Sequence, residues 1–247
     1  MKNLILHIPH SSTSIPLKDG YCVNDEILNS EILKLTDWYT DDLFGNETDI
    51  SIKAPFSRIF CDVERFSEDS QEVMSKYGMG VLYTKMDIGE PLRNTSPELR
   101  THILDTYYWK HHNQLTESVQ LQIEQFGFST IVDCHSYPNK PHNRALDKSS
   151  FRPDFNIGTD TFHTSQKLID ASIQFFKEKG YSLGVDRPYS GAIVPMKYYK
   201  KNKNVVSIML EINRGLYLLE PTNEKSKQYQ EIKKVVQEFL NLIRGFQ

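Results

Sequence analysis

The segment "FSTIVDCHS", residues 128–136, joins a short apolar run to a group of reactive side chains. The β-branched letters "TIV" are typical of a buried strand, and Asp133, Cys134 and His135 follow them directly. We therefore predict a strand that carries His135 at its far end. From this segment alone, His135 could be a metal ligand, a catalytic base, the partner of a Cys134 nucleophile, or a structural residue.

Segments with strand and helix patterns alternate on both sides of this strand. Strands that alternate with helices favour a mixed or parallel sheet with helices on both faces. We therefore predict a single α/β domain over residues 1–247, with three α/β/α layers and a mixed, mostly parallel sheet. The predicted strands lie within 4–8, 49–55, 57–63, 77–85, 128–136, 153–160 and 204–215, and the predicted helices within 24–44, 96–127, 161–180 and 223–246.

The overall composition limits the class of protein. The 247 residues are 38% hydrophobic and 25% charged, and the formal net charge is −3. These values are typical of a soluble globular protein and do not indicate binding to nucleic acid or to an anionic membrane. The sequence lacks a signal-peptide pattern and a run of roughly 20 apolar residues, and its three cysteines indicate a reducing compartment. We expect a cytoplasmic protein that acts on a small molecule, and its oligomeric state stays open.

Polar residues follow four of the predicted strands, at His10, 62–65, His135 and Glu211. In α/β sheets, ligands bind near the carboxyl ends of the strands. Two histidines and a carboxylate suit metal-assisted hydrolysis, in which a glutamate accepts the proton of a water molecule. Glu211 is the strongest candidate, because a carboxylate that directly follows the apolar run "SIML" is costly unless it is paired or used.

Other interpretations of these residues were weighed. A Cys134–His135 catalytic pair is unfavourable, because neighbours on a strand point to opposite faces. A lone histidine at a strand end is more often structural than a ligand, and His111 and His112 are interpreted as surface residues of the long helix. Asp37 and Asp41 are four residues apart, so they would share one helix face and could add a carboxylate to a metal site. The sequence lacks a GxSxG elbow, a phosphate loop and a dinucleotide fingerprint.

Seven motifs in order resemble the N-formylglutamate amidohydrolase (N-formylglutamate deformylase) family across residues 4–217. More remotely, the sequence is similar to zinc carboxypeptidases and aspartoacylases, which implies a phosphorylase/hydrolase-like fold and zinc or another divalent metal. The motifs are "LHIPHSSTSIP", "TDWYTDDLF", "SRIFCDVERF", "TIVDCHSYP", "PDFNIGT", "DRPYSGAIVP" and "MLEINRGLYL".

The resemblance implies a set of metal ligands. His135 lies in "HSY", which is similar to the segment that carries the later zinc histidine of carboxypeptidases. Those relatives place a glutamate three residues after the first zinc histidine, whereas the position three residues after His10 is Thr13 here. The second ligand must therefore come from elsewhere, and we expect Asp37, with Asp41 as its alternative.

The resemblance also implies roles for a glutamate and several arginines. "LEINRG" is similar to the segment that carries the general-base glutamate, and "RIFCDVER" resembles the aspartoacylase stretch that ends in Asp-Leu-Asn-Arg. An arginine fork suits a substrate carboxylate. The predicted catalytic residues are Glu211 and Arg58, and the predicted substrate-binding residues are Arg65, Arg187 and Arg214.

Two departures from the family pattern concern substrate specificity. Glu64 replaces the asparagine of Asp-Leu-Asn-Arg, and an ionised glutamate cannot donate a hydrogen bond to a substrate carboxylate. Asp186 and Arg187 stand where the family often has Arg-Asn. We predict a metal-dependent hydrolase of a C–N amide bond that releases formate or another acyl group from an N-acyl amino acid. The alternatives are an amidase or peptidase with another acyl or peptidyl substrate, and a non-catalytic relative that binds a small acidic ligand.

Overall fold

The computed structural model describes residues 3–246. Within these residues, six strands form one mixed sheet. The strands are β1 (Ile5–Ile8), β2 (Ile50–Lys53), β3 (Ser129–Tyr137), β4 (Phe155–Gly158), β5 (Leu183–Val185) and β6 (Val205–Asn213). Their order in the sheet is β2-β1-β3-β6-β4-β5, and every neighbouring pair is parallel except β4 and β6.

The register between β3 and β6 places two of the predicted site residues side by side. These strands pair along nine residues each, and His135 lies opposite Glu211. Since side chains alternate between the two faces of a strand, Asp133 and His135 share one face and Cys134 lies on the other. Cys134 is buried in the hydrophobic core. The structure therefore separates the Cys134 thiol from the His135 ring.

Helices lie on both faces of the sheet. They are α1 (Asp25–Leu35), α2 (Thr40–Phe44), α3 (Pro97–Ile103), α4 (Trp109–Phe126), α5 (Gln166–Glu178) and α6 (Tyr229–Arg244). A π-helical turn, Leu104–Tyr108, joins α3 to α4. The side chain of Ser96 caps the start of α3, and Gly127 ends α4 with a φ of 81°, a left-handed conformation that suits glycine.

Two hydrophobic clusters attach these helices to the sheet. On one face, Phe44 of α2, Phe176 of α5 and Phe239 of α6 belong to one cluster with residues of the central strands. On the other face, Leu115 and Val119 of α4 pack with residues of β1, β2, β3 and β6. The predicted three-layer α/β/α architecture is therefore confirmed. Across the described residues, no helix has both the length and the apolar character needed to cross a membrane.

The segment 24–44 forms two helices instead of one. Helix α1 ends at Leu35, and the connection to α2 includes Tyr39 in a left-handed conformation with a φ of 62°. Asp37 lies in this connection, where its backbone N–H donates to the carbonyl of His10 at 3.0 Å. Asp41 lies in α2 and is exposed. The expectation that Asp37 and Asp41 share a helix face was therefore wrong.

Two predicted strands, within 57–63 and 77–85, are turns and loops in the structure. Their apolar residues are buried, but most of them pack in clusters of their own beside the sheet. The Asp62 N–H still donates to the carbonyl of Val81 at 2.8 Å, so the two segments contact each other without forming a ladder. A short apolar run indicates more reliably that a segment is buried than that it forms a strand. The three-residue strand β5 was not predicted.

Candidate active site

A pocket of about 300 Å³ opens where β1, β3 and β6 end. His10 follows β1, His135 lies near the end of β3, and Glu211 lies near the end of β6. All three line the pocket, together with Arg58 and Arg214. Because β1, β3 and β6 are parallel, their carboxyl ends meet at one edge of the sheet, which explains why residues distant in sequence converge here.

His10, Asp37 and His135 form a buried cluster at this edge. Their candidate ligand atoms all lie within 4.8 Å of one another. Asp37 Oδ2 is 3.4 Å from His10 Nδ1 and 3.1 Å from His135 Nδ1. The backbone contact between Asp37 and His10 and the position of His135 on β3 hold this arrangement in place.

The opposite nitrogen of each ring contacts a second carboxylate. His10 Nε2 is 2.8 Å from Asp62 Oδ1, and His135 Nε2 is 3.0 Å from Asp133 Oδ1. Metal-binding histidines usually donate their other ring N–H to a carboxylate in this way, which fixes the tautomer and the ring orientation. His10 Nδ1 is buried and has no hydrogen-bond partner within residues 3–246. Two Nδ1 atoms and Asp37 Oδ2 therefore match the nitrogen and carboxylate donors of a catalytic divalent-metal site.

Arginines and histidines keep the buried carboxylates ionised. Burial alone would raise the pKa of Asp37, but its close contacts with the rings of His10 and His135 and the charge of Arg58 hold it well below its usual range. Burial also opposes ionisation of Asp62, and His10 and Arg58 likewise depress its pKa. Both aspartates are therefore negatively charged at neutral pH, as a cation site requires.

Glu211 differs from these aspartates, because it has no close partner. Its Oε2 atom is buried without a hydrogen-bond partner among the described residues. Burial, with a smaller contribution from the Asp37 charge, raises the pKa of Glu211 to about 8, although His135 and Arg58 oppose the shift. A buried carboxylate with a pKa near neutrality can accept and return a proton, which suits a general base.

Arg214 does not form an ion pair with Glu211. Its Nη2 donates to Asp37 Oδ1 at 2.9 Å, its Nη1 donates to the backbone carbonyl of Lys34 at 2.7 Å, and its Nε donates to Ser136 Oγ at 3.2 Å. Arg214 is 4% exposed. It therefore positions Asp37 and leaves Glu211 free.

Arg58 and Arg65 both contact Asp62. Arg58 donates to Asp62 Oδ2 through Nε at 3.3 Å and Nη2 at 3.1 Å, and Arg65 Nε lies 3.6 Å from the same oxygen. The Tyr83 hydroxyl also donates to Asp62 Oδ2, at 2.8 Å. Arg58 Nη1 makes a longer contact of 3.8 Å with Asp37 Oδ1. Both arginines line the pocket, but the negative charge of Asp62 offsets much of their positive charge.

Arg187 and Asp41 are the predicted site residues that lie neither in the pocket lining nor in the buried cluster of His10, Asp37 and His135. The Arg187 side chain is 75% exposed, and its Nε donates to Asp147 Oδ2 at 2.9 Å. The carboxylate of the neighbouring Asp186 accepts hydrogen bonds from Thr159. This pairing explains why Arg187 stays at the outer rim.

A second group of buried polar residues was not predicted as a unit. His7 Nδ1 is 2.8 Å from Asp133 Oδ1 and 3.1 Å from Glu64 Oε1, and His7 Nε2 is 2.8 Å from His111 Nε2. The interpretation of His111 as a surface residue was wrong, because it is 3% exposed. His111 belongs to the buried stripe of α4 with Leu115, Val119 and Gln122, so helical spacing was the available signal.

Residues 138–152 form the opposite wall of the pocket and were also missed. This connection between β3 and β4 contributes His142, Arg144, Asp147 and Arg152 to the lining. The backbone N–H groups of Asn143 and Arg144 donate to the two carboxylate oxygens of Asp87, and these bonds hold the connection in place. The stretch has neither helical nor strand periodicity, so the sequence alone gave no reason to place it over the site.

Comparisons with known proteins agree with the family resemblance and with the fold. Residues 2–218 match the model of the family described as N-formylglutamate amidohydrolase. An N-formylglutamate deformylase of Pseudomonas putida is 24% identical over 228 residues, which cover 88% of this chain and 82% of that protein.

Two solved structures share the fold. The crystal structure of N-formylglutamate amidohydrolase from Ralstonia eutropha JMP134 aligns with a TM-score of 0.85 at 22% identity, covering 100% of this chain and 95% of that one. A gene product of Agrobacterium tumefaciens aligns with a TM-score of 0.68 at 17% identity, covering 98% and 92%. At these identities, the structures establish the architecture.

Proposed function

The chain belongs to the N-formylglutamate amidohydrolase family, and from this membership and the pocket we propose that it is a metal-dependent hydrolase of N-formyl or other N-acyl amino acids. The activity named for the Pseudomonas putida relative supports this proposal. The observation that carries it is the position of Glu211, whose buried Oε2 lacks a hydrogen-bond partner among the described residues and which lines the same pocket as His10 and His135 of the buried cluster.

His10, Asp37 and His135 would hold the metal through His10 Nδ1, Asp37 Oδ2 and His135 Nδ1. Zinc is the best candidate, because two imidazole nitrogens and one carboxylate form a common catalytic zinc set. When bound, the ion would supply a Lewis acid that lowers the pKa of a water molecule and polarises the acyl carbonyl. Asp62 and Asp133 orient the two rings from their Nε2 side.

Glu211 would act as the general base. It accepts a proton from the attacking water as the water oxygen bonds to the acyl carbon, and it transfers that proton to the nitrogen as the C–N bond breaks. The products are the carboxylic acid, formic acid for a formyl group, and the free amino acid. The position of Glu211 opposite His135 in the sheet register supports this role, because it brings Glu211 close to a proposed metal ligand.

Arg58 would stabilise the charge that develops on the acyl oxygen. Its Nε and Nη2 are held by Asp62, which fixes the orientation of the guanidinium. Its Nη1 has the longer contact with Asp37, so it has N–H capacity left for an oxyanion in the pocket. Preorganised donors of this kind lower the barrier because they need no reorientation during the reaction.

The proposal is tested by metal analysis together with formate release from N-formyl-L-glutamate. We expect about one equivalent of a divalent metal, turnover that a chelator abolishes, and recovery when the metal is returned. His10→Ala and His135→Ala are each expected to lose the metal and to remain folded. Full turnover by chelated protein would contradict metal dependence, and no turnover on a panel of N-acyl amino acids would contradict the hydrolase.

A further inference from the structure

Arg152 is a buried arginine of the pocket wall that has no assigned role. It lies in the connection between β3 and β4, is 7% exposed, and lines the pocket. Its guanidinium carbon is 5.8 Å from the ring centroid of Tyr137 and 5.8 Å from that of Tyr189. The two rings pack against each other, with centroids 5.5 Å apart, so the cation lies beside both of them, an environment that stabilises its orientation without neutralising its charge.

The guanidinium of Arg152 is largely unpaired. Its Nη2 donates to the backbone carbonyl of Asp147 at 2.9 Å. Its Nε and Nη1 are buried and have no hydrogen-bond partner in the part of the chain that the structure describes. Nη2 carries two hydrogens and uses one of them in this bond. Its other hydrogen and the N–H of a neighbouring unpartnered nitrogen together form a two-donor fork. A buried charge with unused donors is unfavourable unless a ligand completes it.

The other arginines of the pocket are in a different state. Arg144 has an unpartnered Nη1 among the described residues, but it is only partly buried and its Nε donates to the backbone carbonyl of Asp87. Arg58 and Arg65 contact Asp62, and Arg214 is bonded to Asp37. These pairs hold the carboxylates of Asp62 and Asp37 in place. If one of these arginines left its partner to bind a substrate, the site would lose its geometry. Among the arginines that line the pocket, Arg152 combines deep burial with two unpartnered guanidinium nitrogens.

We propose that Arg152, held beside the packed rings of Tyr137 and Tyr189, forms a subsite that binds a carboxylate of the ligand. A planar two-donor fork matches a carboxylate in bidentate geometry. The nearby carboxylates of Asp147 and Glu211 disfavour a ligand group with more than one negative charge. That the ligand is a substrate rests on the proposed function, whereas the carboxylate subsite itself does not.

The kinetic test uses Arg152→Met, which preserves side-chain length and removes the charge. The substrates are N-formyl-L-glutamate and its two amides, N-formyl-L-glutamine and N-formyl-L-isoglutamine, each of which lacks one carboxylate. We expect the KM for N-formyl-L-glutamate to rise roughly 10- to 100-fold, the effect of a lost charged hydrogen bond, with a smaller change in kcat. The amide whose KM the variant leaves unchanged identifies the carboxylate that Arg152 binds.

The binding test needs no turnover. Glutarate is titrated by calorimetry into the full-length protein and its variants at the same metal content. We expect the dissociation constant to rise roughly 10- to 100-fold in Arg152→Met and less in Arg152→Lys, which keeps the charge but loses the fork. Lys203→Met removes one exposed positive charge elsewhere on the surface and serves as the control with unchanged affinity.

Thermal unfolding separates a ligand anchor from a structural arginine. Because Arg152 is buried without an ion-pair partner, Arg152→Met is expected to unfold at the same temperature as the unmodified protein or at a higher one. A structural role predicts a lower temperature and an equal loss for all three substrates, and that result would overturn the subsite. Unchanged glutarate affinity in Arg152→Met, or no measurable glutarate binding by the unmodified protein, would also overturn it. Glutarate binding that depends on Arg152 without any turnover would support the subsite and refute the proposed hydrolase.

Discussion

The two sides of the pocket differ in how their arginines are paired. On the sheet side, Arg58 and Arg65 both contact Asp62, so their charges are compensated within the chain. On the side formed by residues 138–152, Arg152 keeps two buried nitrogens without a partner among the described residues. Compensated charges fix the geometry of a site, and uncompensated ones provide binding energy to a ligand. The proposed chemistry therefore belongs to the sheet side, and the proposed carboxylate subsite to the loop side.

Glu211→Gln tests the sheet side and has the largest expected effect. The amide keeps the shape of the side chain but cannot accept a proton from water. We expect the variant to fold, to keep its metal, and to lose about two to four powers of ten in kcat. Formate release measures the rate, and Glu178→Gln, an exposed change on α5, is the control with unchanged rate. A folded, metal-replete Glu211→Gln protein with near-normal kcat would refute the role of Glu211 as the base.

The buried charges of the sheet side also predict a pH dependence of stability. Burial alone would lower the pKa of His7, but hydrogen bonds to Asp133 and Glu64 outweigh it and raise the pKa to about 9. A histidine whose pKa is raised in the folded state stabilises the fold fully below its unfolded value near 6.5, and this contribution is lost as the pH rises through 9. The contribution is at most about 3 kcal/mol.

Urea unfolding of metal-free protein between pH 6 and pH 10 measures this effect. We expect the free energy of unfolding to fall from about pH 6.5 upwards, and to fall less steeply in His7→Gln. His7→Gln retains a polar side chain beside Asp133 and His111 but removes the titrating group. An equally steep loss in both proteins would assign the pH dependence to other groups.

Asp62→Asn tests whether the compensated side positions the proposed metal ligands. Asp62 accepts from the ring of His10 as well as from Arg58, so its amide would weaken the orientation of His10. Changes in residues that orient metal ligands typically cost ten- to a hundredfold in metal affinity or activity. Competition with a chelator measures the affinity, and Asp42→Asn, which disrupts a surface pair with Lys233, is the control. Equal affinities in the two variants would mean that Asp62 does not position His10.

The sequence predicted the sheet side better than the loop side, for physical reasons. β3 and β6 are buried on both faces, so each contains an apolar run, and His135 and Glu211 lie near the ends of these strands. A polar residue in such a position is conspicuous. Asp37 was less visible, because the backbone between α1 and α2 brings it to His10, and the resemblance to a family was needed to select it.

The loop side has no comparable pattern. Residues 138–152 follow neither helical nor strand spacing, and their position depends on contacts with Asp87, which is distant in sequence. Whether an arginine is compensated depends on such contacts, which composition and spacing do not encode. For that reason, Arg187 was predicted to bind substrate and Arg152 was overlooked.

Arg187→Met gives the smallest expected effect and sharpens the contrast between the two arginines. Both contact Asp147, Arg152 at its backbone carbonyl and Arg187 at its carboxylate, but the Arg187 side chain is 75% exposed and lies outside the pocket lining. An exposed ion pair contributes at most about 1 kcal/mol, so we expect the KM for N-formyl-L-glutamate to change less than about threefold, against roughly 10- to 100-fold for Arg152→Met. Measuring the KM of both variants under the same conditions tests this difference. If Arg187→Met raises the KM as much as Arg152→Met does, the rim also binds substrate, and the division between a compensated side and a recognition side does not hold.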